Sequence, residues 1–83
     1  MEIPTSKKIY FELKEIFEKT DKIYSQRMLY RILLKKEKNL TSANLTNILR
    51  RYFLKNRLVI DYPNLFVYGN EKVIKKIKRY IYE

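Results

Sequence analysis

The chain predicts a mostly helical α+β domain: three helices, a short β-hairpin and a C-terminal helix. Three observations carry that expectation. Apolar residues recur at helical spacing in four separate segments, and the pattern turns β-rich only between residues 58 and 68. Ser, Thr and Asn stand where helix starts need side-chain caps. Eighty-three residues suit one domain over residues 1–83, with too small a core for a deep active-site cavity.

The first helix is expected over about residues 5–20. Ile9, Tyr10, Leu13, Ile16 and Phe17 form its apolar face, and Thr5 or Ser6 caps it after Pro4. Glu15–Lys19 and Glu18–Lys22 are acid-first i,i+4 pairs. A link over residues 21–24 has room for one brief strand. Ser25 then reads as an N-cap, with Tyr24 and Leu29 placed as a hydrophobic staple. Met28, Leu29, Ile32 and Leu33 give the stripe of a second helix, residues 25–37. A turn runs from Glu37 to Leu40, where Asn39 best tolerates a left-handed backbone.

Thr41 caps a third helix, residues 41–56, stapled by Leu40 and Leu45. Its buried stripe is Leu45, Ile48, Leu49, Tyr52 and Phe53. Leu58–Tyr62 and Leu65–Tyr68 are β-rich runs, and Pro63-Asn64 between them suits a tight turn. Gly69, the only glycine, ends the second run, and Asn70 caps a last helix, 71–82. Val73, Ile74, Ile77, Tyr80 and Ile81 line one side of that helix. Lys72, Lys75, Lys76 and Arg79 line the other.

Charge is distributed unevenly. The net charge is +10. Residues 1–24 hold five lysines and five acids, and net zero. Residues 25–60 hold nine basic residues against Glu37 alone, a net +8, and residues 61–83 net +2. A purely solubilising charge has no reason to be partitioned this way. The imbalance favours a polyanionic partner. A hydrophobic content of 46% is too high for a disordered basic tail.

The order helix–helix–helix–hairpin–helix resembles the winged helix-turn-helix family. The residues that carry the resemblance run from Ser25 to Tyr68. Most telling is the stretch from Thr41 to Val59. It has the small polar start Thr41-Ser42-Ala43-Asn44, a helix centred on leucine, and a Leu58-Val59 entry into the wing. The resemblance implies that the third helix enters the major groove of duplex DNA, N-terminal part first. The sequence departs from the family twice. No glycine lies in the helix-turn-helix turn, and the short wing carries only Arg57 at its base.

On the third helix, the face opposite the apolar stripe carries Ala43, Asn47, Arg50, Arg51 and Leu54, flanked by Asn44 and Thr46. Asparagine pairs bidentately with adenine, and arginine with guanine or phosphate. Small Ser42 and Ala43 permit close approach. On the second helix Arg27, Arg31, Lys35 and Lys38 form one ridge of i, i+4, i+8, i+11 spacing. Like charges four apart destabilise a free helix by roughly 0.2–0.5 kcal/mol per pair. Phosphate contacts give a reason for keeping them, against the blander reading of a solubility stripe. Lys36 is expected nearer the core. The lysines of the last helix read as solubilising.

Tyr10, Tyr24, Tyr52 and Tyr68 are expected buried or half-buried, Tyr30 and Tyr82 more exposed. Packing is the better reading for most of the tyrosines than base stacking or nucleophilic chemistry. Cysteine and histidine are absent and the single glycine excludes a Gly-rich phosphate loop. Catalysis, a metal site, a cofactor and a small-molecule ligand are therefore not expected.

The expected function is sequence-specific recognition of double-stranded DNA by a transcription regulator. The alternative is a winged-helix protein-interaction module docking on replication or transcription machinery, which needs an exposed apolar patch near Leu54 or Ile81. A homodimer through the terminal helices is the further partner considered. With no apolar run long enough to span a membrane and no signal-peptide core in residues 1–8, the expected location is the cytoplasm, that of a host if the chain is viral.

Overall fold

The computed structural model describes residues 5–61 and 65–82, with side chains described within 6–59 and 66–80. Four helices and a three-stranded antiparallel sheet follow one another as α1 (Thr5–Lys19), β1 (Tyr24–Ser25), α2 (Gln26–Leu34), α3 (Ser42–Tyr52), a 3-10 turn (Leu54–Asn56), β2 (Arg57–Asp61), β3 (Leu65–Tyr68) and α4 (Glu71–Tyr82). The architecture is α+β and mostly helical.

One apolar cluster joins α1, α2 and α3 to β1 and β3, while Leu58 of β2 and Ile74 of α4 are buried apart from it. Ile9, Leu13 and Phe17 repeat every four residues and so share one face of α1. They pack with Leu29 and Leu33 of α2 and Leu45, Ile48 and Leu49 of α3. Tyr10 and Phe17 meet the ring of Phe53 at centroid distances of 5.4 and 5.3 Å. Each aromatic pair of this kind adds about 0.5–1.5 kcal/mol beyond area burial.

The helix starts are set by local hydrogen bonds. Ser25 Oγ accepts the Met28 N–H and Thr41 Oγ1 accepts the Asn44 N–H, both at 3.1 Å. Tyr24, Leu29, Leu40 and Leu45, the residues of the two expected staples, are all buried in the same cluster. Thus each cap also fixes where the chain enters the core. Asn70 Oδ1 caps α4 by accepting the Val73 N–H at 2.9 Å. The expected cap of α1 involves Pro4 and Thr5, whose relevant atoms lie outside the described residues.

The sheet order is β1-β3-β2, so the last strand sits in the middle. Tyr24 faces Tyr68 across β1 and β3, and Arg57 faces Tyr68 across β2 and β3. The register slips between Val59 and Asp61. The expected turn at Pro63-Asn64 lies outside the described residues.

Several boundaries differ from the sequence expectation. Helix α2 stops at Leu34 instead of residue 37. The Leu33 carbonyl accepts both the Lys36 and the Glu37 N–H, at 3.0 and 2.8 Å. One carbonyl thus takes both N–H groups in a tightened last turn, and the chain then turns so that Leu40 is buried. Helix α3 stops at Tyr52 because Phe53 leaves helical geometry (φ −125°, ψ 34°) and turns its ring into the core.

The apolar stripes are also narrower than expected. Only Leu29 and Leu33 of α2 are buried, while Met28 and Ile32 are exposed. Tyr52 is 58% exposed, because at the last position of α3 it leaves the cluster and meets the ring of Tyr10 instead. Tyr30 is half-buried, with its hydroxyl donating to the Leu40 carbonyl at 3.1 Å. Tyr80 is 82% exposed. Helix α4 seats Ile74, with Val73 and Ile77 half-buried and Lys78, Arg79 and Tyr80 exposed. The side chains of Ile81 and Tyr82 lie outside the described residues.

Asn56, Gly69 and Asn70 tie the ends of four elements together. The Asn56 carbonyl accepts the Gly69 N–H at 3.0 Å, and Asn56 Nδ2 donates back to the Gly69 carbonyl at 2.9 Å. Asn70 Nδ2 donates to the Thr20 carbonyl at 3.2 Å and to Asp21 Oδ1 at 2.6 Å. The end of α1, the 3-10 turn, the end of β3 and the start of α4 meet there.

Candidate nucleic-acid interface

Helix α3 sets the centre of the surface. Leu45 and Leu49, buried one turn apart, turn the opposite side outward. Ser42, Ala43, Asn44, Asn47, Arg50 and Arg51 are all exposed there. Thr46 is not free: its hydroxyl accepts from Gln26 Nε2 at 2.6 Å and donates to the Ser42 carbonyl at 2.9 Å. It ties the start of α2 to α3 beside the expected reading face.

The two arginines diverge. Successive helical residues project about 100° apart, so Arg50 and Arg51 leave α3 on different sides. Arg51 lines a groove against α1. Arg50 lies toward the sheet, close enough to Tyr68 to favour its ionised form.

Arg27 and Arg31 are exposed on α2, one turn apart. Lys35 is the helix C-cap and keeps helical angles (φ −63°, ψ −31°). Lys38 is exposed but sits in the connection to α3. The expected single ridge is therefore a three-residue row plus one lysine of the turn, because α2 ends at Leu34. Arg57 is half-buried, its guanidinium 4.8 Å from the centroid of the Phe66 ring. That cation–π contact makes Arg57 a packing element of β2 as much as a free charge.

Among the described residues three salt bridges form outside this surface, all of them involving α1. Lys36, expected near the core, is exposed and binds Glu12 at 3.0 Å, while Lys8 approaches Glu37 at 3.6 Å. These two pairs cross between α1 and the turn after α2. Lys19 meets Glu15 at 2.5 Å within α1. Its hydrogen bond first, and its charge second, hold the Glu15 carboxyl below its ordinary range. Glu18–Lys22, the other expected pair, does not form a salt bridge; Lys22 lies beyond the end of α1. None of Arg27, Arg31, Lys35, Lys38, Arg50 and Arg51 is paired with an acid among the described residues.

No protein-family model, curated protein or solved structure matches the chain.

The structure adds a feature that the sequence expectation did not contain. A groove of about 700 Å³ opens between the first turns of α1 and the outer side of α3. Lys7, Phe11, Asn44, Asn47, Arg51 and Tyr52 line it, with no acid on its walls among the described residues. Phe11 is 53% exposed. Its signal was present in the sequence, since Phe11 falls outside the Ile9–Leu13–Phe17 stripe and has no core position to fill. Tyr52 stands edge-on to Tyr10 (5.2 Å, 68°). On the far side of that pair a second depression is lined by Glu18, Asp21 and Glu71 together with Lys14 and Lys72. The unbalanced positive charge lies on one side of the Tyr10–Tyr52 pair only.

Among the described residues no helix is long and apolar enough to cross a membrane.

Proposed function

We propose that the chain is a winged helix-turn-helix protein that binds duplex DNA as a sequence-specific transcription regulator, with α3 in the major groove. The observation that carries this reading is the set of exposed cations on α2, the following turn and α3, none of them paired with an acid among the described residues, while Lys8, Lys19 and Lys36 are paired. The order helix–strand–helix–helix–strand–strand–helix, with the last strand central in the sheet, supports the winged form. Asn44 and Asn47 supply donors and acceptors for base edges beside Ser42 and Ala43, which are small enough for close approach. Arg27, Arg31, Lys35 and Lys38 supply phosphate contacts, and Arg50 and Arg51 flank the helix.

Six such cations predict a logarithmic salt slope of about −5 for binding. The test is affinity for random duplex DNA across a salt series, followed by selection of bound sequences from a random pool. Charge reversal at Arg50 and Arg51 should abolish binding with thermal unfolding nearly unchanged. No binding at low salt, or a greater loss from reversal at Lys72 and Lys75, overturns the proposal.

A second reading has one specific observation behind it. Leu54, in the 3-10 turn after α3, is 54% exposed, as a protein-docking module requires. Loss of a partner protein on Leu54→Ser, with DNA binding absent, would favour it.

A further inference from the structure

The groove between α1 and α3 has a composition that an ordinary solvated helix face does not need. Two aromatic side chains, Phe11 and Tyr52, are about half exposed on its walls. Two cations, Lys7 and Arg51, and two carboxamides, Asn44 and Asn47, stand among them. The combination of stacking surface, positive charge and edge-reading amides matches the parts of a nucleotide: base face, phosphate and base edge. Its volume of about 700 Å³ falls in the range of clefts that hold small organic groups.

Placement narrows the choice further. Asn44, Asn47 and Arg51 belong to the helix proposed to meet duplex DNA, so the groove adjoins that surface. A base inside an intact duplex has both faces stacked on its neighbours and cannot lie against Phe11 or Tyr52. An unpaired base can. The absence of acids among its described lining residues favours an anionic occupant over a basic peptide, and the mixed depression beyond Tyr10 and Tyr52 offers no such preference.

We infer that the α1–α3 groove binds an unpaired nucleotide of single-stranded DNA, its base against Phe11 and Tyr52, its phosphates toward Lys7 and Arg51, and its edge toward Asn44 and Asn47. The inference rests on the duplex reading only for the strand that leads into the groove. The protein therefore engages a junction between paired and unpaired DNA with two surfaces that share Asn44, Asn47 and Arg51 of α3: α2–α3 for the duplex and α1–α3 for the single strand, with Phe11 and Tyr52 belonging to the groove alone.

The test uses the full chain with two separate probes, dye-labelled oligothymidine and a blunt random duplex. Fluorescence anisotropy gives each affinity, and quenching of tyrosine emission reports base stacking, since the chain has no tryptophan. Phe11→Ala and Tyr52→Ala should each weaken oligothymidine binding about five- to hundred-fold and leave duplex binding within a factor of two or so. Tyr52→Phe should retain binding, because the ring is kept. Arg51→Gln should weaken oligothymidine binding without touching the aromatic pair, which keeps the test valid if an aromatic truncation unfolds the chain. Tyr80→Ala, at the most exposed tyrosine described, should change neither probe.

Oligothymidine binding that ignores Phe11, Tyr52 and Arg51 overturns the inference and leaves the duplex reading standing. So does duplex binding with no oligothymidine binding. Oligothymidine binding lost in these variants, with no duplex binding in the wild type, keeps the inference and removes the duplex reading. Binding of neither probe overturns both.

Discussion

Asn70 is the residue whose replacement tests the packing of α4 most directly, because its side chain does two separable things. Its Oδ1 caps the helix by accepting the Val73 N–H at 2.9 Å. Its Nδ2 reaches back to the Thr20 carbonyl at 3.2 Å and to Asp21 Oδ1 at 2.6 Å. Asn70→Ser keeps an N-cap oxygen and loses the tether; Asn70→Ala loses both. A cap contributes about 1 kcal/mol, and a hydrogen bond to a neutral partner contributes about 0.5–1.5 kcal/mol. The bond to Asp21 is charge-assisted but lies in water, which keeps its share near the low end. The expected losses are about 1–2 kcal/mol for Ser and about 2–3 kcal/mol for Ala. In a domain of this size, 1 kcal/mol moves the midpoint by about 4–8 °C. Thermal unfolding followed by circular dichroism should therefore drop by about 10–20 °C for Asn70→Ala and by roughly half that for Asn70→Ser. Equal midpoints for Ser and the wild type would refute the tether. Equal midpoints for Ser and Ala would refute the cap.

Four further substitutions have expected outcomes. Burial pushes the Tyr68 phenol above its ordinary value of 10.0, against the opposing pull of Arg57 and Arg50. The unfolded chain thus loses this proton first as pH rises, so stability falls from about pH 10 upward; denaturant titrations at alkaline pH should show Tyr68→Phe losing less stability than the wild type. Gly69→Ala should destabilise by about 1–3 kcal/mol, read as a lower urea midpoint, because the new Cβ would stand 2.9 Å from Ile23 Cδ1 and 3.2 Å from the Lys22 carbonyl. Partial recovery in the Ile23→Ala background would locate the clash. Thr41→Ala should cost about 1 kcal/mol through its lost cap, whereas Lys36→Ala should cost less than about 1 kcal/mol, since the exposed Lys36–Glu12 pair is screened by water.

Caps and cores were legible in the sequence because both depend on short-range pattern. Ser25, Thr41 and Asn70 each cap the helix they precede. Ile9, Leu13, Leu29, Leu33, Leu45 and Leu49 are buried as their periodicity predicts. The helix ends were less legible. Nothing in Lys35-Lys36-Glu37 or Leu54-Lys55-Asn56 forbids helix, and the chain stops where Leu40 and Phe53 must turn into the core, a requirement set by distant partners. Flank positions failed for the same reason: whether Met28, Ile32 or Tyr52 is covered depends on which neighbour arrives.

The candidate surface divides similarly. The exposure of Arg27, Arg31, Asn47, Arg50 and Arg51 followed from the helical period. The engagement of Thr46 by Gln26 joins residues 20 apart in sequence, and the groove joins α1 to α3; no local pattern contains either. Adjacent arginines also look like one feature in a sequence, although a helix sends them in directions about 100° apart.

The sheet limits how copies of this chain meet. Its two outer strands are β1, only two residues long, and β2, whose register slips between Val59 and Asp61. A stub and a kinked strand are poor templates for a neighbour's backbone, so edge-to-edge growth toward fibrils is disfavoured at both ends. At high local concentration, copies of this chain meet one another often. The outer edges of this sheet offer them little to add to.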